Sequence, residues 1–278
     1  MRRTPDTALA LLQASHPLPV VAVTAVAGGL AAGTGRDAPG VLAVTAAVFA
    51  GQLSVGWLND LVDAERDART GRPDKPVADG RVPARLVRAA VVTAALLAVG
   101  LSLLSGVLAA VAHLLALVSA WAYDLGVKAT ALSVAPYAVS FGLLPAFVVL
   151  GLPEAPLPPL WLVAAGALLG SAAHFVNAIP DLADDAAVGV HGLPHRLGAY
   201  ASRVVAALLV LAASVLLVLG PAGAPSDGRL LALPLAVLLL GGGLVLGHRR
   251  GSQAAFRAVL LVAVLDVGLL LSAGITAG

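Results

Sequence analysis

The segment Asn59-Asp60-Leu61-Val62-Asp63-Ala64-Glu65-Arg66-Asp67 follows without a break on the apolar run 40–58. Read as the end of a helix, it places Asn59, Asp63 and Asp67 at i, i+4 and i+8, roughly on one face, with Asp60 beside that stripe. Carboxylates so close together repel one another where water is scarce, and they require a counter-charge. A divalent ion or several basic groups would supply it. The remaining residues are read against this acidic cluster at the end of an apolar helix.

The chain has 278 residues, of which 59% are apolar and 12% charged, with a mean hydropathy of +0.96. Soluble domains carry charges at about a quarter of positions. Long apolar runs broken by short polar segments instead indicate an all-α, polytopic membrane protein. Cysteine is absent, which excludes disulfides and thiolate chemistry. Lys75 and Lys128 are the only lysines among 17 basic residues. That arginine bias, with abundant Ala, Gly, Val and Leu, suggests a GC-rich bacterial genome and hence a bacterial cytoplasmic membrane.

Nine apolar spans are predicted, at about 17–35, 40–58, 84–105, 107–123, 133–151, 160–179, 199–220, 229–247 and 253–275. With a cytoplasmic N-terminus, 15 of the 17 basic residues fall on the cytoplasmic side, leaving only Arg36 and Arg229 opposite. This is a strong positive-inside asymmetry. The two longest polar segments, about 59–83 and 180–198, lie on the basic side and are expected as Asp-rich loops capping a central cavity.

The second polar segment opens with a counterpart of the first acidic motif, Asn177-Ala178-Ile179-Pro180-Asp181-Leu182-Ala183-Asp184-Asp185. At an offset of 118 residues, Asn59 matches Asn177, Asp63 matches Asp181, Asp67 matches Asp185 and Gly71 matches Gly189. One acidic segment is commonly a solvated turn, but two in matching register argue for a site between repeats. The chain is therefore read as one domain, 1–278, with half-repeats at about 17–123 and 133–247. Two acidic clusters facing one cavity form a hard-oxygen site suited to Mg2+ and to phosphate oxygens. Arg66, Arg69, Arg72, Lys75, Lys128 and Arg196 lie where a diphosphate would need cations. The chemistry that fits is ionisation of an allylic diphosphate, with an apolar cavity sheltering the carbocation.

At these residues the chain resembles the UbiA-type intramembrane prenyltransferases. The family's first motif, N-D-x2-D-x3-D, is matched by Asn59, Asp60, Asp63 and Asp67, and its second by Asp181 and Asp185. A Tyr/Lys element is matched by Tyr123 and Lys128, an N-R-P tripeptide by Asp74-Lys75-Pro76, and L-P-x-R-L-G by Leu193–Gly198. The chain differs from the family in three places: Ala178 replaces a second Asp, Tyr123 and Lys128 are one residue further apart, and Ser15-His16-Pro17 replaces Arg-Pro. The resemblance implies a nine-helix bundle in which two Mg2+ ions bridge an isoprenyl diphosphate whose prenyl group passes to an aromatic or lipid-like acceptor. It assigns metal binding to Asn59, Asp60, Asp63, Asp67, Asp181, Asp184 and Asp185. Diphosphate binding falls to Asn59, Arg66, Arg72, Lys75, Lys128 and Asn177, and catalysis to Asp63, Asp67, Asp181, Lys128 and Tyr123.

His174 shares a helix face with Asn177, and Gln52 one with Asn59, so both are candidates for the acceptor pocket. His113 and Asp266, inside apolar spans, are expected to make helix-to-helix hydrogen bonds. Trp57, Trp121 and Tyr123 are expected in an interfacial aromatic belt, and His191 and His195 in solvent. Three other readings stay open. A terpene cyclase would use the same diphosphate, although 4% aromatic content argues against it. A phosphoribosyl transferase would use the same scaffold. A cation-coupled transporter would place its acidic motifs nearer the bilayer midplane.

Overall fold

In a computed structural model, residues 7–70, 75–187, 189–247 and 253–272 are described. Arg72, Asp74 and the side chain of Asp184 lie outside the described residues. The described residues form α1 (Thr7–Ala14), α2 (Pro17–Gly33), α3 (Ala38–Thr70), α4 (Ala84–Leu103), α5 (Val107–Asp124), α6 (Ala135–Leu150), α7 (Leu160–Ala178), α8 (Leu182–Ala187), α9 (Leu193–Leu219), α10 (Asp227–Gly247) and α11 (Ala254–Ser272). Each of the nine predicted spans coincides with one helix from α2 to α7 or α9 to α11. Seven of these are long and apolar enough to cross a membrane alone, and α2 qualifies together with α1 across a 60° bend. The remaining helix, α6, has only 16 residues and carries Pro145.

The length of α3 sets the geometry of the site. Its 33 residues span about 50 Å, whereas a hydrocarbon layer is about 30 Å thick. The last three turns therefore stand beyond the apolar layer. The first acidic motif is consequently helical throughout, not a loop, and α3 continues to Thr70. The second motif is broken after α7 at Ile179–Asp181 and resumes in the short α8.

With no water to drive helix association inside lipid, close approach through small residues does that work. The core is accordingly rich in alanine: Ala27, Ala31, Ala47, Ala109, Ala112, Ala146 and Ala165 are buried with Phe147, Leu162 and Leu217. Gly166 and Gly170, one turn apart on α7, admit α6 most closely. A Cβ on Gly166 would stand 2.5 Å from the Phe141 carbonyl oxygen, and one on Gly170 2.4 Å from Phe141 Cβ. Around the bundle, α2–α3–α4 pack in sequence, α5 meets α3 and α6, and α6–α7–α9–α10–α11 return to α2. Outward-facing Leu18, Leu96, Leu104, Leu160 and Leu238 present a lipid-compatible surface.

At the basic end, the α1–α2 corner is seated on α3. His16 adopts φ 56°, a left-handed conformation unusual for a side chain with a Cβ. Gly56 makes room for it, because a Cβ there would stand 2.0 Å from the Ser15 carbonyl oxygen. Trp57 donates from Nε1 to the Leu11 carbonyl at 2.8 Å, fastening α1 to the same turn. Trp121 donates to Ser54 Oγ at 3.2 Å. Both tryptophans thus cross-link helices. The two intramembrane groups His113 and Asp266 do make the expected helix-to-helix bonds, to Ser102 at 2.7 Å and Ser214 at 2.7 Å.

Candidate active site

The helical register of α3 turns Asp60, Asp63 and Asp67 inward, where they are 1%, 5% and 1% exposed. Glu65, on the opposite side of the helix, pairs with Arg69 in solvent. Asn59 ties this stripe to α5: its Nδ2 donates to Asp63 Oδ2 at 3.3 Å and to Asp124 Oδ1 at 3.0 Å. Four buried carboxylates therefore share one region between α3 and α5.

Burial on this scale is tolerable only because cations are built in. Lys128 Nζ lies 2.6 Å from Asp63 Oδ1, and Arg66 donates to Asp63 Oδ2 at 2.9 Å. Lys75 Nζ stands between Asp60 and Asp67, at 3.3 and 3.7 Å. It also approaches His16 Nε2 at 3.3 Å. The backbone N–H of Val77 donates to Asp60 Oδ2 at 3.3 Å. The longer Tyr123–Lys128 spacing is absorbed locally. After α5 ends, Gly126 at φ 146° turns the chain into a short 3-10 helix, Val127–Ala129, which returns Lys128 to Asp63.

The second half is more open. Asn177 is exposed, while Asp181 and Asp185 are half-buried. Asp185 faces His195 at 3.6 Å, and the His195 side chain is buried instead of solvated as expected. Arg196 turns away and donates to the His191 carbonyl at 3.1 Å. Tyr123 connects the halves, being close enough to both Asp63 and Asp185 to feel their charges.

Beneath the carboxylates lies a cluster of rings. Tyr123 and Tyr137 meet edge to face at 5.1 Å, Tyr137 stacks on Phe141 at 6.1 Å, and His174 packs between Tyr123, Tyr137 and Phe175. Deeper still, Gln52 lines a small cavity of about 30 Å³ with His113, Ser140 and Phe141. Gln52 and His174 therefore lie at two different levels and do not share one pocket wall. Asp124, Tyr137 and Ser133 are the members that sequence reading missed. Asp124 sits beside Tyr123 in the Tyr/Lys element, but its partner Asn59 is 65 residues away.

Among the described residues, no three acidic or histidine side chains converge on a point fit for a metal ion. The carboxylates are turned to Lys75, Lys128 and Arg66 instead. The donor set itself suits a hard divalent ion, being all oxygen. One of those oxygens, Asp124 Oδ2, is buried with no hydrogen-bond partner among the described residues.

The profile of the UbiA prenyltransferase family matches residues 20–270. A digeranylgeranylglyceryl phosphate synthase from Methanopyrus kandleri is 31% identical over 240 residues, covering 83% of this chain and 86% of that protein. Two solved structures share the fold. A UbiA homologue from Archaeoglobus fulgidus bound to GPP and Mg2+ has a TM-score of 0.70 at 15% identity, covering 95% of this chain and 99% of that one. An apo UbiA homologue from Aeropyrum pernix has a TM-score of 0.68 at 19% identity, covering 94% and 96%. With its paired acidic motifs, its helical bundle and a family match spanning most of its length, this multi-pass membrane protein belongs to the UbiA prenyltransferase family and is a prenyl transferase.

Proposed function

We propose that the chain transfers an isoprenyl group from a Mg2+-bound isoprenyl diphosphate to an aromatic or lipid-like acceptor. The observation that carries this reading is the buried cluster Asp60–Asp63–Asp67–Asp124, held by Lys75, Lys128 and Arg66 at the mouth of an apolar bundle. The carboxylates and the cations have complementary tasks. Asn59, Asp60, Asp63 and Asp67, with Asp181 and Asp185 opposite, would hold Mg2+; Asp184 and Arg72 join them by sequence position. Once bound, the metal neutralises the diphosphate and assists its departure.

Lys75, Lys128 and Arg66 would face the diphosphate oxygens, with Asn177 on the far side. Their positive charge stabilises the negative charge that grows on the leaving group. The prenyl tail runs away from the charges, toward Gln52 and the core. Tyr123, with Tyr137 and Phe141 behind it, excludes water and presents ring faces to the allylic cation. The acceptor's electron pair then forms the new bond to the allylic carbon, and its proton passes to a carboxylate or to the released diphosphate. In this reading the two half-repeats each contribute one acidic motif, and both motifs face the cytoplasm of a bacterial cell, the side favoured by the distribution of basic residues.

The gathering of rings beside the carboxylates also favours a second reading, cyclisation of the same diphosphate. The low overall aromatic content weighs little when the rings are concentrated at one place. The relative from Methanopyrus supports transfer as the first choice. The test is to incubate the purified protein and Mg2+ with isoprenyl diphosphates of several lengths, with and without aromatic and lipid acceptors, and to identify products by mass spectrometry. A prenylated acceptor supports transfer, a cyclic hydrocarbon formed without acceptor supports cyclisation, and no turnover of any diphosphate overturns both.

A further inference from the structure

His174 stands one helical turn to the membrane side of Asn177, and it is 2% exposed. Its two nitrogens are not equivalent. Ser133 Oγ, itself fully buried, accepts the backbone N–H of Leu193 at 2.8 Å and lies 3.0 Å from His174 Nε2. The serine hydrogen therefore needs an acceptor, and Nε2 is the one within reach. That bond puts the imidazole hydrogen on Nδ1. Gly192 permits the arrangement, since a Cβ there would stand 2.5 Å from the Lys128 carbonyl oxygen and 2.9 Å from Ser133 Oγ. Three elements thus cooperate to fix one tautomer: the start of α9, the approach to α6, and α7.

The result is a buried N–H donor at Nδ1 with no hydrogen-bond partner among the described residues. It is enclosed by Tyr123, Tyr137 and Phe175, with ring centroids at 5.6, 5.0 and 5.6 Å. A buried donor left unpaired is costly, so the site is built for an incoming acceptor atom. The charged groups Lys75, Lys128 and Arg66 all lie at the level of the carboxylates, whereas His174 lies one turn deeper, where a diphosphate would be joined to its tail.

We propose that His174 donates through Nδ1–H to the ester oxygen linking the allylic carbon to the diphosphate. This rests on the transfer reading above. As the C–O bond breaks, its electron pair stays with that oxygen and the allylic carbon is left cationic. A neutral donor at the oxygen stabilises the developing charge without placing a full positive charge beside the carbocation. The fixed tautomer matters, because an imidazole lone pair at the same place would repel the oxygen.

The experiment uses the full chain in lipid nanodiscs with Mg2+ and geranyl diphosphate, with and without aromatic and lipid acceptors, and follows diphosphate release. His174→Leu is expected to lower kcat by roughly 10²-fold with little change in KM, in line with removal of one oxyanion donor. His174→Asn, which returns an N–H at the Nδ1 position, retains most of the activity. Nitrogen-15 spectra of histidine-labelled protein are expected to show the Nδ1–H tautomer for the signal lost in His174→Asn. In Ser133→Ala that signal shifts toward a mixture of tautomers and kcat falls part of the way. An Nε2–H tautomer in the wild type overturns the proposal. So does His174→Leu with wild-type kcat, or an effect confined to the KM of an added acceptor, which would mean that the N–H rests against the face of Tyr123 or binds the acceptor. A wild type that releases no diphosphate either with or without an acceptor overturns the transfer reading as well; an active wild type with an active His174→Leu overturns this proposal alone.

Discussion

Lys128 Nζ lies 2.6 Å from Asp63 Oδ1, across 65 residues of sequence, and closes the acidic end of α3 onto the turn that follows α5. Asp63 keeps Arg66 when Lys128 is removed, so the loss is partial. Lys128→Ala is expected to destabilise the fold by about 1–3 kcal/mol, less than the loss of a lone buried partner. Because a metal ion would replace the missing charge, Mg2+ should raise the unfolding temperature of this variant more than that of the wild type. Thermal unfolding with and without Mg2+ measures both effects, and equal shifts would count against exchange between ammonium and metal.

Asn59 holds Asp63 and Asp124 with one amide nitrogen. Asn59→Asp replaces that donor with another negative charge beside two buried carboxylates, so folding should weaken by about 2–4 kcal/mol in metal-free buffer. Millimolar Mg2+ should restore much of the loss. Denaturant titrations in chelator and in Mg2+ would decide it; a variant as stable as wild type in chelator contradicts the described hydrogen bonds.

The halves of the site are unequal. Asp60 and Asp67 are almost fully buried with built-in cations, whereas Asp181 and Asp185 are half-buried. Asp60→Ala should therefore cost more activity than Asp181→Ala, Asp184→Ala or Asp185→Ala, by about tenfold or more, an expectation scaled to the loss of one preorganised electrostatic contact. Steady-state turnover of the four variants at saturating Mg2+ tests this, and equal or reversed losses would refute it.

Gly56 admits the backbone of Ser15, and with it the α1–α2 corner that brings His16 to Lys75. Gly56→Ala forces backbone to move and should cost about 1–3 kcal/mol, with a loss of activity. Gly242→Ala on α10 meets open space and should be neutral or stabilising by up to about 1 kcal/mol. Unfolding temperatures of the two variants make the comparison. A neutral Gly56→Ala would mean that the corner is not seated on α3.

Much of this architecture is readable from sequence because its causes are periodic or repeated. Apolar runs locate the long helices, although α6 is shorter than a bilayer-spanning helix, and the duplicated Asn/Asp register points to the acidic end of the bundle. Lys75 and Lys128 stand out as the only lysines, and both reach carboxylates. What escapes notice depends on contacts between distant residues. Asp124 has meaning only through Asn59, and Ser133 only through His174, 41 residues away. The pairing of His195 with Asp185 depends on how α8 folds back against α9. Composition also misleads, since a low average aromatic content hides the ring cluster of Tyr123, Tyr137, Phe141 and Phe175. The helical reading of Asn59–Asp67 holds, while the loop expected from 59 gives way to helix as far as Thr70.

The central claim is that the carboxylates of α3 act with a divalent ion on an isoprenyl diphosphate. The most direct measurement is diphosphate release from geranyl diphosphate, with and without aromatic and lipid acceptors, by the purified wild type and by Asp63→Asn, which keeps the size of the side chain and removes its charge. Release is expected to require Mg2+, to stop with chelator, and to fall by about 10²-fold or more in Asp63→Asn. Release that is independent of Mg2+, or a fully active Asp63→Asn, would contradict it.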